Sequence, residues 1–176
     1  MIIVGVDPGL QRTGYGVIRC RSRANISPGQ RRSFSGGPEG VQLLEAGVIR
    51  SSARESMPAR LRAIYRGIAG VTADFKPDVL VLEELYSHYA HPRTAILMAH
   101  ARGVIALAAA EAGIAVVGYA ARSVKKAVTG TGAAQKIQVQ RMVQRALRLP
   151  QTPQPHDVAD ALALAITHWH ETAGRL

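Results

Sequence analysis

Cysteine, acidic residues over two long spans, and unbroken apolar sequence are all scarce in this chain. Cys20 is the single cysteine, so no intramolecular disulfide can form. The N-terminus has no basic segment followed by an apolar one, and no apolar run reads as long enough to span a bilayer. The expected setting is therefore cytoplasmic. At 176 residues with 47% hydrophobic content, the chain can bury one sizeable core and reads as one domain over residues 1–176.

The shortage of acids is local. Between Asp7 and Glu39 there is none, while Arg12, Arg19, Arg21, Arg23, Arg31 and Arg32 fall there. Between Glu111 and Asp157 there is again none, against Arg122, Lys125, Lys126, Lys136, Arg141, Arg145 and Arg148. The formal net charge of +10 predicts attraction to polyanions, nucleic acid being the commonest. Asp7, Glu83, Glu84, Asp157 and Asp160 lie beside apolar runs, where a merely solubilising charge is out of place. A small acidic centre in basic surroundings is what a metal-dependent enzyme acting on phosphodiesters needs.

The chain opens with Met1-Ile2-Ile3-Val4-Gly5-Val6, a continuous apolar run suited to a strand buried on both faces, and it ends in Asp7-Pro8-Gly9. Asp7 either opens a solvated turn or is a carboxylate that needs a partner or a cation. Thr13 to Arg19 is a hairpin partner in which Gly14 and Gly16 mark either a close approach of backbone or ligand, or a tight bend. Leu43 to Arg50 completes an antiparallel meander. Arg21 to Gly40, rich in Ser, Gly, Arg and Pro, reads as a long, mobile, basic loop.

Pro58 opens a helix with apolar residues at i, i+3, i+4 and i+7, closed by Lys76-Pro77. Val79 to Leu82 is then a buried strand, parallel to the opening one by its helical crossover, and it ends in Glu83. Carboxyl ends of parallel strands are where open sheets bind ligands. A loop from Leu85 to Arg93 leads to an alanine-rich helix, Thr94 to Ala112, capped by Gly113. The strand Ile114 to Val117 follows, then a short helix capped by Ser123 and ending at Val128, and a helix from Ala134 to Leu147 with a basic outer side. The last helix, Asp157 to Glu171, carries Asp157 and Asp160 at i and i+3 on one face.

Acids in a first turn ordinarily cap a helix and favour its positive end. Asp160, however, precedes Ala161-Leu162-Ala163-Leu164-Ala165-Ile166, which makes that helix apolar on nearly all sides. Inward acids need a partner, and two divalent cations about 4 Å apart can hold the attacking water and the leaving oxygen of a phosphodiester. His156 reads either as a solvated residue at a helix start or as a ligand or base. His168 and His170 are expected near the surface. Tyr86 is either a loop anchor or an aromatic for stacking an unpaired base.

With these residues assembled, the sequence resembles the RuvC family of Holliday-junction resolvases, members of the ribonuclease-H-like fold. The motifs are Gly5-Val6-Asp7-Pro8-Gly9 with Thr13-Gly14-Tyr15-Gly16-Val17-Ile18, Leu82-Glu83, Gln138-Val139-Gln140, and Asp157-Val158-Ala159-Asp160-Ala161-Leu162-Ala163 with Ala165 to His168. Ala120 to Lys125 and Ala134-Gln135-Lys136 look like the family's DNA-contacting segments; Arg122 falls in the first, Lys126 directly follows it, and both are expected to bind DNA. The resemblance implies an α/β fold with a five-stranded mixed sheet, strands 1–3 an antiparallel meander and strands 4 and 5 parallel, flanked by helices. It implies a catalytic, metal-binding set of Asp7, Glu83, Asp157 and Asp160, with Mg²⁺ or Mn²⁺, two ions per site. It places Lys125 and Lys136 at functional lysines and Tyr86 at a base-engaging position. It further implies a homodimer that nicks a four-way DNA junction symmetrically beside a branch-migration motor. Some relatives carry His where this chain has Asp157, so His156 competes for that role. The loop 21–40 is longer than the resemblance leads one to expect.

Two other classes compete. Sugar kinases and actin-like ATPases share the opening motif but need two such lobes. A junction-binding scaffold without chemistry accounts for the +10 charge but leaves Asp7, Glu83 and Asp160 unexplained.

Overall fold

A computed structural model describes residues 1–20, 40–84 and 92–172. The elements are β1 (Ile2–Asp7), β2 (Arg12–Cys20), β3 (Val41–Arg50), α1 (Met57–Phe75), β4 (Val79–Glu83), α2 (Pro92–Glu111), β5 (Ala115–Tyr119), α3 (Ala121–Thr129), α4 (Lys136–Leu147) and α5 (His156–Thr172). The strands form one sheet in the order β3-β2-β1-β4-β5. β1, β2 and β3 pair antiparallel, while β4 runs parallel to β1 and β5 parallel to β4. This is the mixed sheet the sequence predicts. The region expected to be a basic loop falls, except for Gly40, outside the described residues, as does Tyr86.

Residue parity sorts the core into two layers, because neighbouring strand residues face opposite sides. Ile3, Ile18, Val79 and Val81 pack with α3, α4 and α5. Val4, Val6, Val17, Leu80 and Leu82 pack with α1 and α2. The central helix of the first layer is α5, whose residues from Val158 to Thr167 are all buried except Asp160.

Its tight seating depends on small residues in the sheet. A Cβ added at Gly5 would stand 2.0 Å from the Ala161 carbonyl oxygen, and one at Gly14 would stand 2.1 Å from that of Asp157. At Gly14, of the three readings, the close approach is that of backbone, the first turn of α5.

Three expectations are corrected. Ser123 does not cap α3. That helix starts three residues earlier, at Ala121, with Ala120 at its cap and no side-chain cap bond. Burial of Val124 and Val128 holds it in place of a cap. His168 is buried, not superficial: its Nδ1 lies 3.0 Å from the Tyr119 hydroxyl, and burial pushes its imidazole below the usual range.

The third correction concerns α2. Thr94–Glu111 has the length and mean hydropathy, 1.3, of a bilayer span, because alanines raise its hydropathy without a long branched run. Ala101, Ile105, Ala108 and Ala109 bury one side of it in the second layer. Its other side leaves Ile96 58% and Leu107 51% exposed.

Candidate metal centre and nucleic-acid interface

The register of two parallel strands builds the centre. β1 and β4 pair from Ile3 with Val79 to Val6 with Leu82. One step further, Asp7 and Glu83 end their strands side by side. Both share the parity of Ile3, Val79 and Val81, so both face α5. There Asp157 and Asp160 emerge from the first turn and a half of that helix. The structure thus brings together the four acids singled out from the sequence, each half-buried. Glu84 has the opposite parity, and its Cγ lies against the position of a Cβ on Gly118, next to Leu82 in the register.

The four carboxylates feel one another. Burial, then the charges of Asp160, Glu83 and Asp157, push the Asp7 carboxyl up to about 8, with Lys136 working the other way. Burial, followed by the charge of Asp160, also raises Glu83, while Lys136 and Lys125 oppose the rise. Asp160 is raised by burial and by Asp157, against Lys136, His156 and Lys125. Negative charge therefore exceeds its compensation at a poorly hydrated point.

The donor set consists of hard carboxylate oxygens, which suit a divalent cation such as Mg²⁺ or Mn²⁺ and supply the charge it would balance. The raised Asp7 carboxyl is the sign that such a charge is wanted. Among the described residues, no three His, Cys, Asp or Glu side chains are gathered closely enough to hold a metal as they stand. The acids are neighbours that do not form a closed shell.

The basic residues rim this centre. Lys136, at the first turn of α4, places Nζ 3.9 Å from Asp160 Oδ2. A capping box between Gln135 and Gln138 fixes the start of that helix. Lys125 is half-buried and lies close enough to act on Glu83 and Asp160. Arg122 and Lys126 are exposed on α3. His156 is exposed, and it reaches the centre only through its charge on Asp160.

Two residues escaped the sequence reading. Arg12 pairs with Asp157, its Nε 3.4 Å from Oδ2. The signal available was position, since Arg12 follows the Asp7-Pro8-Gly9 turn. Arg102 donates through Nη1 to the Glu83 backbone carbonyl and so ties α2 to the end of β4. As the one arginine within the predicted alanine-rich helix Thr94 to Ala112, it stood out in the sequence.

The profile of the family described as crossover junction endodeoxyribonuclease RuvC matches residues 3–168. A protein of that name from Rhodopirellula baltica is 48% identical over 164 residues, covering 93% of this chain and 83% of the relative. Another from Syntrophomonas wolfei is 42% identical over 97% of this chain and 89% of its own length. Among solved structures, RuvC of T. thermophilus in complex with a Holliday junction substrate aligns with a TM-score of 0.85 and 31% identity, covering 99% of this chain and 96% of that one. Strand register, the convergence of four acids and near-complete matches at such identities lead to one conclusion: the chain belongs to the RuvC family of crossover junction endodeoxyribonucleases, metal-dependent nucleases of ribonuclease-H-like fold.

Proposed function

We propose that this Holliday-junction resolvase acts as one nuclease domain over residues 1–176, whose catalytic and metal-holding residues are Asp7, Glu83, Asp157 and Asp160. Mg²⁺ or Mn²⁺, two ions per site, would supply an activated water and neutralise charge on the leaving oxygen. The observation that carries this reading is the in-register arrival of Asp7 and Glu83 on the face covered by α5. Asp7 and Glu83 fix their oxygens on the sheet, and Asp157 and Asp160 present theirs from a helix buried almost throughout. Elements this rigid hold a reacting geometry better than loops do. Asp157 is preferred to His156, because the histidine side chain is exposed.

Lys125 and Lys136, the cations that act on these acids, are assigned to the phosphate beside the cut, where they also offset charge developing in transfer. Arg122 and Lys126 contact backbone phosphates further along an arm. Tyr86 stacks on an unpaired base at the junction. The protein works as a homodimer, because symmetric cuts need two centres. The exposed apolar side of α2, with Ile96, Leu97 and Leu107, is the face that a second copy would cover. It acts in the cytoplasm on four-way DNA beside a branch-migration motor.

Incubation with a synthetic four-way junction, with and without Mg²⁺ or Mn²⁺, tests the reading. Paired nicks at symmetric positions are expected only with metal. Cleavage of RNA–DNA hybrids in place of junctions would keep the fold and overturn the substrate.

A further inference from the structure

One cation beside the acidic centre, Arg12, has no role in that chemistry. It is the first residue of β2, and the backbone around it is held firmly. The Thr13 hydroxyl donates to the Gly9 carbonyl at 2.7 Å, and the Ser51 N–H donates to the Gln11 carbonyl at 3.1 Å. Gly14 lets the first turn of α5 come against the same strand, so Asp157 is carried to Arg12. Across the ladder Arg12 is paired with Arg50, and like charges directly opposite repel, which favours a carboxylate as the partner of Arg12.

The contact between Arg12 and Asp157 is nevertheless loose. It runs from Nε to Oδ2 at 3.4 Å, longer than the usual charge-assisted bond of about 2.7–2.9 Å. The Arg12 side chain is 56% exposed. A largely exposed guanidinium at that distance from a half-buried acid is easily exchanged, and phosphate oxygens offer its planar fork a good fit.

The geometry points to Arg12 as a displaceable counter-ion of Asp157. In the DNA-free protein it neutralises the carboxylate. A phosphodiester arriving at the β1–β2 turn draws the guanidinium away, leaving Asp157 for the cation. DNA and metal then help each other to bind, each raising the affinity of the other by the same factor. The inference rests on the metal role proposed for Asp157. Arg12 is a positioning residue in this scheme and is distinct from the helical lysines.

The test uses the full chain with Arg12→Gln and Arg12→Lys, and Mn²⁺ as the probe, free Mn²⁺ being read from its electron paramagnetic resonance. Without DNA, Arg12→Gln is expected to bind Mn²⁺ about threefold to fivefold more tightly than wild type, as fits removal of an exposed ion pair, and Arg12→Lys to stay near wild type. With junction at saturation, the Mn²⁺ concentration for half-maximal cutting should no longer separate Arg12→Gln from wild type. In EDTA the Arg12 Nε–Hε resonance, assigned by its loss in Arg12→Gln, should shift when junction is added. Equal DNA-free Mn²⁺ affinities of wild type and Arg12→Gln overturn the inference, and so does a resonance that the junction leaves unmoved. If wild type fails to cut junctions while the DNA-free affinity difference persists, the proposed nuclease function falls and the counter-ion role stands.

Discussion

The acids and the cations of this molecule meet at the same strand ends but are built on opposite terms. Asp7 and Glu83 are fixed by β-ladder register, and Asp160 by a helix whose other residues from Val158 to Thr167 are all buried. Lys136 is 72% exposed on a long flexible stem, and Arg122 and Lys126 lie on the outer side of α3. An ion or a reacting phosphate needs oxygens in one arrangement, so the acids are placed on rigid elements. A polyanion needs mainly a field, which mobile side chains supply at little structural cost. Substitutions should therefore differ sharply between the two regions.

The largest effect is expected at the centre of the acidic set. Asp7→Asn keeps the shape and removes the charge, and it should lower cutting by at least about a thousandfold, since a bound metal contributes several kcal/mol to the barrier. Junction binding, measured by gel shift, should survive or improve. Cutting near the wild-type rate with saturating Mg²⁺ would remove Asp7 from the catalytic set.

On the cationic side the loss should be smaller and divided differently. Lys136→Ala is expected to reduce the single-turnover rate about tenfold to a hundredfold with little change in affinity, as loss of one charge beside the developing oxyanion would. Uniformly weaker binding, a shallower salt slope and normal turnover at saturation would make Lys136 an ordinary backbone contact and blur the distinction between the regions.

The pairing of acids also predicts a pH dependence in the absence of metal. Folded Asp7 keeps its proton to about pH 8, whereas the unfolded chain releases it near the ordinary value of 3.8. In that window the folded state binds more protons, so stability falls as pH rises and is lost through about pH 8. Glu83 and Asp160 are raised too and act in the same sense. In EDTA, the melting temperature should fall between pH 5 and 8.5 by about several degrees, a range set by the usual conversion of 1 kcal/mol to a few degrees. Asp7→Asn should flatten that dependence. A rise in melting temperature over the window would contradict the burial and mutual repulsion of these acids. Metal uptake below pH 8 should release a proton, seen by calorimetry in buffers of different ionisation enthalpy.

Much of this was readable in the sequence because the signals were local. Apolar runs ending in Asp7 and Glu83, and an apolar helix interrupted by Asp160, are departures from pattern that only a function explains. The parallel pairing of β1 and β4 followed from the helical crossover between them. What stayed hidden depends on contacts between distant segments. Ala120 caps α3 because β5 ends beside it and Val124 and Val128 need burial, which no capping rule contains. His168 is buried by its meeting with Tyr119, 49 residues away in the chain. Arg12 reaches Asp157 only because Gly14 admits α5.

The smallest effect is expected at Glu84, and it probes the register most cleanly. Glu83 and Glu84 are adjacent, identical in residue type and both half-buried, so sequence and exposure do not separate them. Parity does: Glu83 faces α5 with Asp7, while Glu84 turns to the side of Leu82 and Gly118. Its N–H donates to the Tyr119 carbonyl at 2.9 Å, a bond that any replacement other than proline keeps. Glu84→Gln should thus change cutting by no more than about twofold, the scale of surface substitutions within about 0.5 kcal/mol, while Glu83→Gln behaves like Asp7→Asn. Rates measured side by side on one junction decide the matter. Comparable losses at both positions would mean that β4 presents its acids by a twist at its end and not by alternation, and the distinction between fixed acids and mobile cations would then begin one residue later in the chain.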